Sequence, residues 1–142
     1  MLVKRLTNAC MLVTVAWLAT TVFGCETLTS RPALTIVPIS SVDQVTGKWE
    51  GLSKRVPDMR DDAWVILLIA KNGHFNFVSN RAEDYLLGTG VLTILNGRAH
   101  GKTGSGTGTL TLHDKNGSAV LVVEVSLNDG HHYYMEMSRL KE

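Results

Sequence analysis

Few residues of this 142-residue chain have the types and spacing that metal or phosphate binding requires. His131 and His132 are adjacent, and adjacent residues of a strand point to opposite faces, so this pair cannot chelate one ion. His131 with Asp129 remains as the metal-binding alternative. The run Gly101–Thr103 looks like the end of a phosphate-binding loop, but residue 96 is Asn where that motif requires Gly. We therefore expect no metal ion and no cofactor.

The usual elements of catalytic chemistry are also missing. No serine, cysteine or carboxylate pair has a recognisable general base beside it, so we predict that the protein is not an enzyme. Acidic residues do cluster in segments with the composition of loops: Asp58, Asp61, Asp62, Glu83 and Asp84. Their spacing does not match an EF-hand loop. Solvated loop charge is the expected interpretation, with weak calcium binding as the alternative.

Composition narrows the class of protein. Apolar residues make up 44% of the chain and charged residues 19%. These fractions predict a folded chain, and its length suits one domain. A net charge of +1, with no Lys/Arg run longer than two residues, argues against a nucleic-acid partner. Both cysteines, Cys10 and Cys25, lie near the start of the chain. A disulfide framework and a Cys-rich zinc site are therefore excluded for the rest of the chain.

The segment Met1–Cys25 has the layout of an export signal. Lys4 and Arg5 precede an uncharged, mostly apolar stretch from Ala9 to Phe23. The length of this stretch is typical of a signal-peptide core rather than of a spanning helix. It ends in Val22–Cys25 (VFGC), which resembles the lipobox of bacterial lipoproteins. That resemblance implies cleavage after residue 24 and lipid on Cys25. A plain secretory signal and a short anchor helix are the alternatives.

The lipoprotein resemblance divides the chain into three parts. Residues 1–24 are the signal peptide, residues 25–44 the lipidated cysteine and a tether, and residues 45–142 a folded domain. Several acyl chains on one residue give a stable membrane anchor. The resemblance implies export to the cell envelope, and Glu26 in place of Asp favours the outer membrane, with the periplasmic or outer side left open. Ala33–Ile39 is apolar enough for part of the tether to dock on the domain.

Turn signals predict an all-β domain. Asn-Gly and Asp-Gly pairs are strong hairpin signals because both central residues take positive φ. Four such pairs occur: Asn72-Gly73, Asn96-Gly97, Asn116-Gly117 and Asp129-Gly130. Eight strand-like runs flank or precede them: Thr46–Ser53, Trp64–Ala70, His74–Ser79, Leu86–Leu95, Arg98–Thr103, Thr107–Asp114, Ser118–Leu127 and His131–Leu140. Because closure removes both exposed edges, we predict an eight-stranded antiparallel up-and-down β-barrel.

Alternation along these runs assigns the faces. It places Phe75 and Phe77 on the inside, and likewise the face of the last strand that carries Tyr133 and Met135. Two runs are apolar on both faces, Val65–Ala70 and Ala119–Val123. Their outer faces should be covered by the tether or by another chain.

Residues at one end of the predicted barrel resemble the motif of a known family. Gly47-Lys48-Trp49 opens the first strand and Arg139 lies near the end of the last. These residues resemble the Gly-x-Trp motif of lipocalins and their calycin relatives, in which a late arginine packs over the tryptophan. The resemblance implies that Trp49 and Arg139 plug one end of the barrel. Lys54–Asp61 is predicted to be the longest loop and the first, as in lipocalins.

The strand order places four loops at the opposite end, which we call the mouth. They are Lys54–Asp61, Asn80–Tyr85, Gly104–Gly106 and Asn128–Gly130.

Two functions then remain open. One is binding of a small apolar ligand in the interior or mouth, for which the candidate residues are Trp64, Phe75, Phe77, Tyr85, His131, Tyr133 and Met135. The other is a packed barrel that acts by contact with an envelope protein, as an accessory protein or, as among calycin relatives, a protease inhibitor. A cavity above about 300 Å³ would favour the first.

Overall fold

The computed structural model describes residues 34–80 and 88–141. Its strands are β1 (Thr35–Val37), β2 (Gly47–Val56), β3 (Arg60–Ile69), β4 (His74–Ser79), β5 (Gly88–Leu95), β6 (Arg98–Lys102), β7 (Gly106–Lys115), β8 (Ser118–Leu127) and β9 (His132–Arg139). A single 3-10 turn covers Val42–Gln44. Within the described ranges, no helix has the length and apolar character needed to cross a membrane.

Strands β2 to β9 form a closed antiparallel barrel, which confirms the predicted fold class. Each strand pairs with the next, and β9 returns to pair with β2, where Trp49 lies opposite Arg139. The short strand β1 lies outside this barrel. It pairs with β7 at residues 112–114, just beyond the part of β7 that pairs with β6. The chain therefore enters the domain along the barrel wall, at the end where β2 begins.

The four hairpin turns predicted from Asn-Gly and Asp-Gly pairs are of two kinds. The Asn96–Gly97 and Asn116–Gly117 turns have positive φ at both residues, 52° and 74° in the first and 54° and 82° in the second. In the other two turns only Gly73 and Gly130 have positive φ, so the expectation of two such residues is wrong there. Those loops have three residues between their hydrogen-bonded ends and finish in a left-handed glycine. This is the next most common hairpin connection.

The predicted long first loop is wrong. Strands β2 and β3 continue through it, with Lys54 opposite Asp61 and Arg55 opposite Arg60. Only Pro57–Met59 remains as the turn. Charged residues are poor strand formers on average, but strand preference depends on the site, and Arg60 and Asp61 stay exposed on the paired strands. This feature therefore no longer supports the lipocalin resemblance.

Alternating side chains of all eight barrel strands fill the interior. Trp49, Leu67, Met135 and Met137 are among those that are fully buried. The segment before β2 adds to this core, because Ile39 and Val45 are buried in it. The Ile39 N–H donates to the Gly97 carbonyl at 2.9 Å, which fixes this segment under the barrel end. Packed structure thus extends into the segment that the sequence predicts to be a tether.

Candidate functional site

Trp49 closes the barrel end at which the chain enters, which we call the closed end. Its ring is fully buried, and its Nε1–H donates to the Val45 carbonyl at 2.8 Å. The Arg139 guanidinium carbon lies 4.6 Å from the ring centroid. Arg139 Nη2 also donates to the Gln44 carbonyl at 2.7 Å. A backbone carbonyl four residues earlier and a sequence-distant arginine thus hold the ring in place, and the stacked cation adds roughly 0.5–2 kcal/mol of cation–π energy.

Aromatic rings fill the middle of the barrel. Phe75 and Phe77 meet edge to face, with centroids 5.9 Å apart and planes at 79°. The Phe75 ring lies against the backbone of Gly101, where a Cβ would stand 2.8 Å from a ring carbon. The interior cavity that Phe75, Phe77 and Leu92 help to line has a volume of about 20 Å³. A cavity of that size holds about one water molecule.

An ion pair lies at the mouth. Arg55 is in phase with Trp49 along β2, and its Nη2 lies 3.9 Å from Asp62 Oδ1. The Arg55 guanidinium carbon is also 6.0 Å from the centroid of the buried Tyr133 ring. This ion pair was not predicted, because residues 54–61 were expected to form a loop. The two-residue alternation from Trp49 would have indicated the inward position of Arg55.

His131 and Asp129 form a second pair on the rim of the mouth. The Asp129 carboxylate accepts a hydrogen bond from the His131 backbone N–H and lies 3.0 Å from His131 Nδ1. These bonds to His131 lower the pKa of Asp129 below its ordinary value. Among the described residues, no three His, Cys, Asp or Glu side chains come together as a metal site.

The ligand-binding candidates do not form one site. Phe75, Phe77, Tyr133 and Met135 are buried in the barrel, and His131 is exposed at its rim. Tyr85 lies outside the described residues, as does Cys25. Trp64 was expected in the interior, but it points outward and is 44% exposed.

The position of Trp64 follows from the pleat of β3. Ala63, Val65 and Leu67 are buried, so the residues between them face outward. Alternation could not show this beforehand, because both faces of β3 are apolar. The backbone N–H of Trp64 donates to Asn80 Oδ1 at 3.2 Å, which ties this part of β3 to the residue after β4.

Trp64 belongs to a continuous apolar surface on β2, β3 and β4, which we call the outer apolar face. Leu52 lies opposite Trp64, and Ile66 lies opposite Val78. Trp64, Leu68 and Val78 are 44%, 40% and 41% exposed. The face therefore presents three large apolar side chains to solvent, around the strand for which the sequence predicted a need for cover.

The opposite wall of the barrel, on β7, β8 and β9, is polar on its outer surface. Tyr134 donates a hydrogen bond to Glu136 Oε1 at 2.9 Å, and the Ser126 hydroxyl lies 3.0 Å from His132 Nδ1. Partial burial and the neighbouring Glu136 raise the pKa of Tyr134 to about 12. Val120 and Val122 of β8 are buried, unlike the apolar residues on the outside of β3. Exposed large apolar side chains also occur outside the outer apolar face, since Ile36 of β1 and Val91 and Leu95 of β5 are 63%, 51% and 58% exposed.

Comparison with known proteins identifies no relative of this chain. No family model matches the chain. No curated protein and no solved structure matches it either.

Proposed function

We propose that this chain is an exported, lipid-anchored barrel of the cell envelope that acts by binding another envelope protein through its outer apolar face. The observation that carries the proposal is a contrast between inside and outside. The interior cavity measures about 20 Å³, whereas Trp64, Leu68 and Val78 stand exposed on the wall.

The small cavity argues against the ligand-binding alternative. Pockets for small organic ligands are usually about 300–1,000 Å³. To make such room here, Phe75 or Phe77 would have to leave the core, and Phe75 is packed directly against glycine backbone. A small apolar ligand remains the second hypothesis, but the interior cavity lined by the described residues offers it only about 20 Å³.

The composition of the outer apolar face suits a protein partner. Protein interfaces have an apolar centre, often with a tryptophan anchor, surrounded by polar residues. Here Trp64, Ile66 and Leu68 lie at the centre. Glu50 of β2 lies opposite Ile66, and Asn76 of β4 lies opposite Leu68. Burying exposed apolar area contributes about 25 cal/mol per Å². A partner that covers Trp64 and Leu68 would gain this energy without any change in the barrel.

The membrane anchor in this proposal is lipid on Cys25. It is supported by the charged start, the apolar core Ala9–Phe23 and the VFGC sequence that ends at Cys25. Because the sequence favours the outer membrane, we place the barrel at that membrane. The proposal includes no catalytic step and no nucleic-acid partner.

Site-specific photo-crosslinking in living cells tests the proposed face. Benzoylphenylalanine is placed at Trp64, at Leu68 and, as a matched control on the opposite wall, at the exposed Thr107. We expect one adduct of constant mass from positions 64 and 68 and none from position 107. Equal adducts from all three positions, or none from 64 and 68, would contradict the proposal.

A further inference from the structure

The two ends of the barrel differ in charge. Each end comprises its described turns, the two strand residues next to each turn, and any segment that flanks the barrel at that end. The closed end has six basic residues, Lys48, Lys71, Arg98, Lys115, Arg139 and Lys141, and two acidic residues, Asp43 and Asp114. The mouth has three of each sign, Arg55, Arg60 and Lys102 with Asp58, Asp61 and Asp129. The closed end therefore has an excess of four positive charges, whereas the described residues of the mouth have no net charge.

Five of the six basic residues of the closed end form no ion pair with another described residue. The ion pairs between described residues, Lys54–Asp61, Arg55–Asp62 and Asp129–His131, all lie toward the mouth. Arg139 stacks on Trp49, but within residues 34–80 and 88–141 no ion pair holds the other five cations of the closed end. All five are exposed. They form a ring that is available to an external anionic surface.

The path of the chain indicates which surface this is. Thr35 pairs with Asp114, beside the last turn of the closed end, so the chain enters the domain there. Cys25 precedes Leu34 by nine residues. Nine residues span at most about 32 Å when fully extended. A membrane anchor at Cys25 would therefore keep the closed end near the lipid surface.

We propose that the basic ring of the closed end lies against the anionic phospholipid headgroups of the membrane that holds the chain. This inference rests on the proposed anchor but not on the proposed protein partner. The attraction between basic side chains and anionic lipid acts over about one Debye length, so it needs the proximity that the short connection provides. In this orientation the mouth points away from the membrane, and the outer apolar face stays accessible on the side.

Lysine reactivity on vesicles tests the orientation. The full-length chain is extracted from membranes and reconstituted into vesicles of phosphatidylcholine alone, or with about one third phosphatidylglycerol. After flotation, acetylation rates are measured by mass spectrometry at Lys48, Lys71 and Lys115, with Lys54 and Lys102 as internal controls. We expect about tenfold slower reaction at the closed end on anionic vesicles only, reversed at about 1 M salt, where the Debye length is about 3 Å.

Two matched triple variants separate orientation from anchoring. One is Lys71→Gln with Lys115→Gln and Lys141→Gln; the control is Lys54→Gln with Arg60→Gln and Lys102→Gln. Protection of Lys48 should disappear in the first variant and persist in the control. Failure of the wild-type chain to float would refute the anchor. Flotation with equal reactivity at both ends would refute the lipid-facing ring while leaving the anchor intact.

Discussion

Removal of the Trp49 ring is the sharpest test of the barrel architecture. A tryptophan buries roughly 150–250 Å² on folding, which at about 25 cal/mol per Å² corresponds to about 4–6 kcal/mol as an upper bound. Trp49 is fully buried and also loses its bond to Val45 and its stacking with Arg139 when truncated. We therefore expect Trp49→Ala to lower the free energy of unfolding by about 3–5 kcal/mol.

Urea unfolding followed by circular dichroism measures this loss without relying on tryptophan fluorescence. Such a loss is severe for a domain whose total stability is about 5–15 kcal/mol. Trp64→Ala is the matched control, because Trp64 is 44% exposed and by the same area arithmetic its truncation should cost about half as much, about 2–3 kcal/mol as an upper bound. A loss below about 1 kcal/mol for Trp49→Ala, or equal losses for both variants, would show that Trp49 does not close the barrel.

Four further predictions address other parts of the molecule. Gly101→Ala should destabilise the fold by about 1–3 kcal/mol in urea unfolding. The reason is that its Cβ would stand 2.8 Å from Phe75, whereas Gly104→Ala, which meets nothing within 4 Å, should be neutral. Asn96→Val should cost about 1–3 kcal/mol and lower the melting temperature, because a β-branched residue is strained at positive φ. Asn96 has a φ of 52°, so an unchanged melting temperature would contradict the two-residue turn. The Tyr134 phenol has its pKa raised from 10.0 to about 12, so the folded state holds the proton more tightly than the unfolded state. Stability should therefore fall between pH 10 and about 12 more in the wild type than in Tyr134→Phe, and identical alkaline unfolding curves would count against this. Cys25→Ser should leave the protein unlipidated and soluble after export, and its recovery in acylated form with the membrane would refute the anchor.

The hairpin pattern of the fold could be predicted because its signals are local. Asn96-Gly97 and Asn116-Gly117 specify tight turns by their own φ preferences, and the flanking strands follow within one or two residues. Strand β1 could not be predicted in the same way. It has three residues, and its pairing with β7 joins Thr35 to Asp114 across most of the domain sequence.

The side of each strand that faces the barrel interior could be predicted only where the other side is polar. His74 and Asn76 alternate with Phe75 and Phe77, so the inward side of β4 follows from the sequence. In β3 the apolar residues run on both faces, and the predicted inward position of Trp64 is wrong. The pairing of Arg55 with Asp62 escaped prediction for another reason. Charges around Pro57 indicate a loop, and only the register between β2 and β3 shows that the strands continue.

Native mass spectrometry of the membrane-extracted full-length chain tests the central claim most directly. The variant to compare is Leu68→Lys, which places a charge on the outer apolar face without touching the interior. We expect the wild-type chain to carry a protein partner of defined mass and no small molecule, and Leu68→Lys to lose that partner. A stoichiometric small molecule that remains bound in both forms would contradict the claim and would favour binding of a small ligand inside the barrel.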